Sequence, residues 1–335
     1  MAKKINLLIN LPPTFFTVPW LAPHFKRLAK LGTIRQTSHN TPEEIAPDLA
    51  WADAVVMWSW PVIDEKMLDS AGGLDYLGQI NAAGATARAC LARKVPHSEA
   101  RHCWSPAVAE MGLTLMLAGL RKTSHYHAAM RAGTEPWVGA FPAEVDPMER
   151  QLTGRAVGIV GFGGIGRRLA ELLRPFDVDL RVHDPFVPSS AVKPYGGRTA
   201  PLLELVRKSE VLVLCAANIE SARHLLDTAE IAALRPGCVL VNIGRSMLIN
   251  MPALVERLRK NDMVAMLDVF DKEPLEKDSV LRTLPNAFLT PHRAGGIVES
   301  VVRAMNMLTD DLEAHLAGRK RRYAVTAKMA ACFPA

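Results

Sequence analysis

Short apolar runs alternate with stretches of helical period along most of the chain. Residues 5–9 and 33–36 read as strands, residues 54–58 as a buried strand, and residues 76–80 as another. Between them, residues 20–31 carry a helical period and residues 65–70 a short helix. Thr41-Pro42-Glu43-Glu44 is a helix start, with Thr41 as N-cap, proline at the first helical position and Glu44 reaching back to close a capping box. The first hundred residues therefore form a small parallel α/β unit. This unit has no glycine-rich phosphate turn. Its Asn81-Ala82-Ala83-Gly84-Ala85-Thr86 follows a strand's carboxyl end, where open α/β sheets bind ligands. Either backbone N–H groups there hold a small anion, or the stretch is an ordinary strand-to-helix turn.

Residues 107–120 are apolar on nearly every face, the pattern of a helix buried between layers and suited to the junction of two domains. A polar, proline-punctuated stretch, 132–152, leads into a second alternation. Its first strand, 157–160, runs into Gly161-Phe162-Gly163-Gly164-Ile165-Gly166, after which Leu169, Leu172 and Leu173 recur at helical spacing. Gly161 suits the tight turn, Gly163 lets backbone approach a pyrophosphate, and Gly166 lets the helix pack closely on the strand, so that the anion sits on N–H groups at a helix N-terminus. A second strand, 178–182, ends at His183-Asp184-Pro185. Asp184 lies 18 residues beyond Gly166, where an acidic side chain meets the adenosine ribose hydroxyls of a dinucleotide.

The alternation continues with a helix at 202–206, a strand at 211–214, a helix at 228–234 and a strand at 239–241 that ends in Asn242-Ile243-Gly244-Arg245. Pro252 opens another helix. A strand at 263–267 runs into Asp268-Val269-Phe270-Asp271-Lys272-Glu273-Pro274, and one at 288–290 into Pro291-His292-Arg293-Ala294-Gly295-Gly296. Charged and titratable groups thus gather just beyond strand carboxyl ends, on the edge where a dinucleotide lies. Arginine offers a planar fork suited to a carboxylate, and histidine titrates near neutrality and is helped to hold its proton by a carboxylate partner. Past Gly296 comes a long amphipathic helix with Val298, Val301, Val302, Met305, Leu308, Leu312 and Leu316 on its apolar face. Residues 324–335 are weakly patterned and either pack on the first domain or fray.

At 335 residues the chain exceeds the size at which one core stops growing, so two domains are expected. A net charge of +6 suits small anionic substrates. Arg319-Lys320-Arg321-Arg322, the only basic cluster, reads as a solvated helix end or tail, which argues against a nucleic-acid partner. Five cysteines without C-x-x-C spacing point away from a disulfide framework or a metal site and toward a reducing, cytoplasmic setting. Asn6 and Asn10 break the N-terminal apolar run, which reads as a strand and not a signal peptide. No later run approaches transmembrane length, so no membrane partner is expected.

In order and spacing, Gly161 to Gly166 with Asp184, Asn242 to Arg245, Leu267 to Phe270 with Glu273-Pro274, and Thr290-Pro291-His292 with Gly295 resemble the successive signatures of the D-isomer-specific 2-hydroxyacid dehydrogenases. Ala107-Val108-Ala109-Glu110 resembles that family's interdomain helix start. The resemblance implies an α/β fold of two Rossmann-like or flavodoxin-like parallel-sheet domains with a cleft between them. Residues 1–104 and 297–335 would form a discontinuous substrate domain, and residues 105–296 the NAD-binding domain. It also implies that Arg245 binds the substrate carboxylate, His292 is the acid/base and Glu273 its orienting carboxylate. Gly161, Gly163, Gly164, Ile165, Gly166, Asp184, Ala217, Ile243, Gly244, Arg245, Asp268, His292 and Gly295 would face NAD, and Ala83 and Gly84, with Arg245 and His292, the substrate. Asp268 would otherwise cap a turn before Pro274. Asp184 would repel a 2′-phosphate, which favours NAD over NADP, with Arg181 and Arg167 the nearby cations.

Three positions depart from the family pattern: Ala82 and Ser246 stand where glycine is usual, and Cys215-Ala216-Ala217 where many members carry histidine and proline. Cys215 reads as a small buried hydrophobe. The implied reaction is hydride transfer between NAD(H) and a small 2-oxo or D-2-hydroxy acid such as glyoxylate or hydroxypyruvate. Formate or phosphite dehydrogenases of the same fold are rivals, the formate enzymes disfavoured because they carry an amide where Glu273 stands. A corepressor-type NAD sensor is a rival of another class. Residues 107–120, 132–137 and Phe141 lie where the family builds a two-fold interface, so a homodimer is expected.

Overall fold

A computed structural model describes residues 4–81 and 84–331. The chain divides into two compact units, Met1–Cys103 with Val298–Ala335, and Trp104–Ile297. The N-terminal unit runs β1 (Ile5–Asn10), α1 (Ala22–Ala29), β2 (Gly32–Thr37), α2 (Pro42–Trp51), β3 (Ala54–Met57), α3 (Glu65–Ser70), β4 (Tyr76–Gln79), α4 (Gly84–Ala92) and β5 (His97–Glu99). Its five strands are parallel in the order β2-β1-β3-β4-β5. Helix α2 starts where the sequence places it: the Glu44 N–H donates to Thr41 Oγ1, and Glu44 Oε2 accepts from the Thr41 N–H at 3.2 Å. Leu8, Ile45, Leu49, Val55, Met57 and Leu77 close one core of this unit.

The second unit runs α5 (Ser105–Arg121), α6 (Thr123–Ala132), β6 (Ala156–Val160), α7 (Gly164–Leu173), β7 (Asp179–His183), α8 (Ser189–Val192), β8 (Arg198–Thr199), α9 (Leu202–Lys208), β9 (Val211–Leu214), α10 (Thr228–Ala233), β10 (Val239–Asn242), α11 (Met251–Leu258), β11 (Val264–Leu267) and β12 (Ala287–Leu289). Seven parallel strands take the order β12-β11-β10-β9-β6-β7-β8, so the winding reverses between β6 and β9. Alternate residues of the central strands feed opposite cores. Val211, Val213, Val239 and Val241 pack with Leu169 of α7 and Leu115 of α5, while Leu212, Leu214 and Leu240 pack with Leu205 of α9 and Leu254 of α11. Helices on both faces explain why β9 and β10 read as unbroken apolar runs.

One helical stretch, 101–121, is long and apolar enough to cross a membrane, contrary to the expectation that no run approaches that length. It contains α5, which packs against α7, β10 and β11 inside its own unit, and a core helix covered by a sheet has the composition of a membrane span without facing lipid. The apolar pattern did not reveal α4 and β5. Small residues dominate α4, and β5 is the polar triplet His97-Ser98-Glu99, buried all the same.

Helix α12 (Val298–Leu316) and the short α13 (Ala327–Ala330) return the chain to the N-terminal unit. Here the basic cluster proves partly structural, against the expectation of a solvated end. Asp311 of α12, 1% exposed, accepts from the Arg322 and Tyr323 N–H groups at 2.7 and 2.9 Å and from Ser98 Oγ at 2.7 Å, while the Arg321 guanidinium donates to the His97 carbonyl at 2.8 Å. Residue 324 then bridges Ser98 in antiparallel fashion, and Val325 and Ala330 pack on Ala87 of α4. Of the two readings of the tail, packing holds for residues 324–331.

His97 sits in this arrangement 2% exposed, with no hydrogen-bond partner on either ring nitrogen. Burial, helped by the Arg321 charge, pushes its ring down to about 3, so the folded chain holds it neutral. An unfolded chain takes up that proton near the ordinary histidine value of about 6.5. The ring's contribution is therefore complete above pH 6.5 and is lost as pH falls toward 3, about 2 kcal/mol of it by pH 5. His97→Leu should flatten the fall in Tm between pH 7 and pH 5; a slope equal to that of the wild type would assign the acid sensitivity to another group.

Candidate active site

At the carboxyl end of β6 the chain turns through Gly161 at φ +92°, where a Cβ would lie 2.5 Å from the Ala216 Cα. A Cβ on Gly166 would lie 2.3 Å from the Gly161 carbonyl oxygen, so glycine is what lets α7 start directly against the turn. Gly163 is different: a Cβ there would meet no protein atom within 4 Å. It leaves an open cradle over the start of α7, whose N-cap, Gly163, makes no side-chain capping bond. Uncapped N–H groups and the helix dipole suit that cradle to a pyrophosphate. Asp184, at the end of β7, accepts from the Phe162 N–H at 2.7 Å and the Phe186 N–H at 2.9 Å, which locks its carboxylate beside the turn. Next to it opens a cavity of about 340 Å³ lined by Val182, His183, Asp184, Pro185, Thr199 and Ala200. Pyrophosphate cradle, carboxylate and cavity together fit a dinucleotide.

Ala217 is exposed just past β9, on the other side of the point where the winding reverses. Gly164 and Ile165 open α7. The Ile243 side chain, 4% exposed, packs in the core, so only its backbone is available to a ligand. Cys215 is buried with its thiol donating to the Gly161 carbonyl at 3.2 Å, and burial, together with the Asp184 charge, pushes it up to about 12, the behaviour of an inert thiol.

Beyond β10, the Asn242 side chain accepts from the Gly244 N–H at 3.1 Å and donates to the Arg245 carbonyl at 3.0 Å, fixing the loop that presents Arg245. The exposed guanidinium donates to the Gly244 carbonyl at 2.8 Å and, among the described residues, has no carboxylate in ion-pair reach. It is a free fork for an anionic ligand. Glu273 turns back so that its Oε1 accepts from the Phe270 N–H at 3.0 Å, while Oε2 lies 2.7 Å from His292 Nδ1. Partial burial opposes ionisation of Glu273, but the bonds from His292 and Phe270, with the His292 and Arg245 charges, hold its carboxyl below the usual range. A carboxylate claiming Nδ1–H leaves Nε2 as the nitrogen free to exchange a proton.

His292 has φ +50°, a left-handed conformation that a side chain with a Cβ adopts at a cost. The residue that enforces it is Asp268. Fully buried, its carboxylate accepts from Thr290 Oγ1 and from the N–H groups of Arg293 and Ala294, both at 2.9 Å. The turn before Pro274 is closed instead by Glu273, which corrects the alternative reading of Asp268 as its cap. The sequence showed no sign of this positioning role, although neighbouring parallel strands with Leu267 opposite Leu289 carry Asp268 and Thr290 out at the same level. Gly295 follows, packed so that a Cβ would lie 3.3 Å from Val108 Cγ2.

In the N-terminal unit, Gly84 is the buried first residue of α4, and Thr86 Oγ1 accepts from the Ile63 N–H at 2.9 Å. Ala83, the other expected substrate contact there, lies outside the described residues.

Residues 113–294 match the model of the family described as D-isomer specific 2-hydroxyacid dehydrogenase, NAD binding domain. The chain is 26% identical over 302 residues to the D-3-phosphoglycerate dehydrogenase of Methanocaldococcus jannaschii, a match covering 88% of this chain and 55% of that protein. To the glyoxylate reductase of Aeropyrum pernix it is 31% identical over 217 residues, 64% of each chain. The chain thus matches less than two thirds of the length of each of these curated relatives. A phosphoglycerate oxidoreductase from Rhizobium etli has the same fold, with a TM-score of 0.81 at 24% identity over 96% of this chain and 98% of that one.

Asp268→Asn would set an amide nitrogen or a weaker oxygen against donors now held by a charge. Hydrogen exchange at residues 291–295 should then rise by about tenfold or more while β6 and β7 keep theirs. Unchanged exchange would mean that other contacts hold the His292 loop.

Proposed function

Because the chain belongs to the D-isomer specific 2-hydroxyacid dehydrogenase family and carries its NAD binding domain, we propose that it is an oxidoreductase moving a hydride between NAD(H) and a 2-oxo or D-2-hydroxy acid. The observation that carries this reading is the Glu273–His292 pair at 2.7 Å, set beyond the same row of strand ends as an unpaired Arg245. Bound at the Gly161–Gly166 turn, the nicotinamide cofactor supplies or accepts the hydride. Arg245 holds the substrate carboxylate through its fork. His292 Nε2 gives its proton to the carbonyl oxygen during reduction and takes it back during oxidation, and Glu273 stabilises the charged ring through Nδ1. Gly163, Gly164 and Ile165 supply backbone N–H groups for the pyrophosphate, and Asp184 a carboxylate for the ribose.

Asp184 favours NAD over NADP, and the nearby cations do not counter it. Arg181 is engaged by Asp179, and Arg167 lies over the Phe162 ring at 5.1 Å. Glyoxylate and hydroxypyruvate are the small substrates this reading begins from, supported by the similarity to a glyoxylate reductase. The presence of Glu273 opposes a formate dehydrogenase.

Assembly as a homodimer is part of the proposal, with one change to the surface expected. Most of α5 is consumed by its own core, whereas Met130, Trp137, Val138, Phe141, Val145 and Met148 are all at least 40% exposed. These six are the apolar surface a second copy would cover. Light scattering at micromolar concentration reports the mass, and a monomer would leave them uncovered. A cytoplasmic location fits four free, buried cysteines among the described residues, and fractionation of the source cells checks it.

Turnover with NADH and a 2-oxo acid tests the activity. His292→Ala should lower kcat by a factor of about 10² to 10⁴ with NADH binding retained. Arg245→Ala should raise KM and lower kcat together, since the carboxylate is held in ground and transition states alike. If His292→Ala retained near-wild-type kcat, the proton would have to come from another group.

A further inference from the structure

The cavity of about 340 Å³ beside Asp184 is walled mainly by valine, proline and alanine, and only three residues with polar side chains belong to it: His183, Asp184 and Thr199. Pockets for small molecules have this make-up, apolar walls with a few polar groups that set orientation and choice. All three residues stand at the carboxyl ends of β7 and β8, neighbouring parallel strands with Val182 opposite Thr199, inside one compact unit. What each of them can offer a ligand differs.

Asp184 is committed: the Phe162 and Phe186 N–H groups pin its two oxygens, and its remaining acceptor capacity serves the ribose hydroxyls. The exposed Thr199 hydroxyl makes no hydrogen bond among the described residues. It can donate or accept as a partner requires, so it does not tell one base from another. His183 is different. Its half-buried ring sets Nδ1 3.2 Å from the Ala200 carbonyl, and a carbonyl only accepts, so Nδ1 carries a proton. In the neutral ring Nε2 is then an acceptor. It has no partner among the described residues and is not closed off from solvent, so it is open to a ligand. Of the three, only His183 has its free hydrogen-bonding sense fixed by the fold.

We infer that His183 selects the base of the dinucleotide, its Nε2 accepting a hydrogen bond from the exocyclic amine of adenine. This rests on dinucleotide binding at the Gly161–Gly166 turn and goes beyond it by assigning the choice of base. The base hangs from the ribose carbon next to the 2′-hydroxyl, so a ribose held by Asp184 brings it beside His183, the last residue of β7. Adenine offers an amine as donor. Hypoxanthine, of nearly the same size and shape, carries a carbonyl oxygen in that place, which sets lone pair against lone pair and leaves Nε2 unpaired. The Ala200 carbonyl, through its hold on Nδ1, is what keeps Nε2 an acceptor.

Affinities of AMP and IMP for the full chain, measured by titration calorimetry at about pH 8, where histidine is ordinarily neutral, test it. NADH and its hypoxanthine analogue, followed by quenching of protein fluorescence, give the paired comparison. The wild type should bind AMP over IMP, and NADH over the analogue, by at least about fivefold. His183→Phe keeps a flat ring and removes the acceptor, so it should abolish that ratio by weakening AMP and NADH while IMP stays within about twofold of its wild-type affinity. Equal wild-type affinities, a preference for IMP, or a ratio that survives His183→Phe would overturn the proposal. Should His183→Phe not fold, nitrogen-15 NMR of the wild type takes its place: AMP should move the Nε2 resonance of His183 and IMP should not, and equal responses overturn it. If no nucleotide binds at all, dinucleotide binding itself fails and the proposal falls with it, whereas binding without discrimination sinks the base assignment alone.

Discussion

A histidine held in a left-handed backbone conformation is a local cost that the rest of the chain must over-determine. In this protein the carboxylate of Asp268 does so, buried at the end of β11 and accepting from Thr290 Oγ1 and from the two N–H groups that follow His292. That one acceptor fixes the direction of the imidazole, and Glu273 then finds Nδ1 at 2.7 Å. Both depend on β11 and β12 lying side by side in register. The parallel sheet therefore does more than bury apolar side chains: it brings the chain segments after two neighbouring strands to one level, where a single carboxylate ties them together.

The same logic recurs at each reversal of winding. Between β6 and β9 the strand ends diverge, and there the chain sets Gly161, Gly163 and Gly166 with the uncapped start of α7. Between β1 and β3 they diverge again, and Asn10 ties the departing loops. A buried hydrogen-bonding side chain at or just past the end of a strand supports the loops that follow β1, β10 and β11: Asn10, Asn242 and Asp268. Such residues are costly to bury unless fully satisfied, and here they are satisfied by the loops they organise.

Much of the fold was legible because a parallel sheet covered on both faces writes its strands as unbroken apolar runs, and the Thr41 capping box and the glycine turn have local causes. What escaped was set by distant partners. His97-Ser98-Glu99 does not resemble a strand; its burial comes from Asp311 and the returning segment at 321–325. Arg321 was legible only as a charge, because its acceptor lies 224 positions away. At the site, the identities and strand-end positions of Arg245, Glu273 and His292 were readable, whereas the hold of Asp268 on the His292 loop was not, since spacing along the chain does not show which strands are neighbours. The burial of α5 was legible and its neighbours were not: an all-apolar helix announces burial without saying against what, and α5 packs on α7, β10 and β11 of its own unit.

The central claim is that Glu273 and His292 act as one proton-handling unit. The pH dependence of 2-oxo acid reduction by wild type beside Glu273→Gln tests it most directly. An amide keeps the size and the contact but removes the charge that favours the protonated ring, so the basic limit of activity should move to lower pH with the fold and NADH binding intact. A basic limit that stays where the wild type has it would contradict the account, because the carboxylate would then contribute nothing to the charge state of the proton donor.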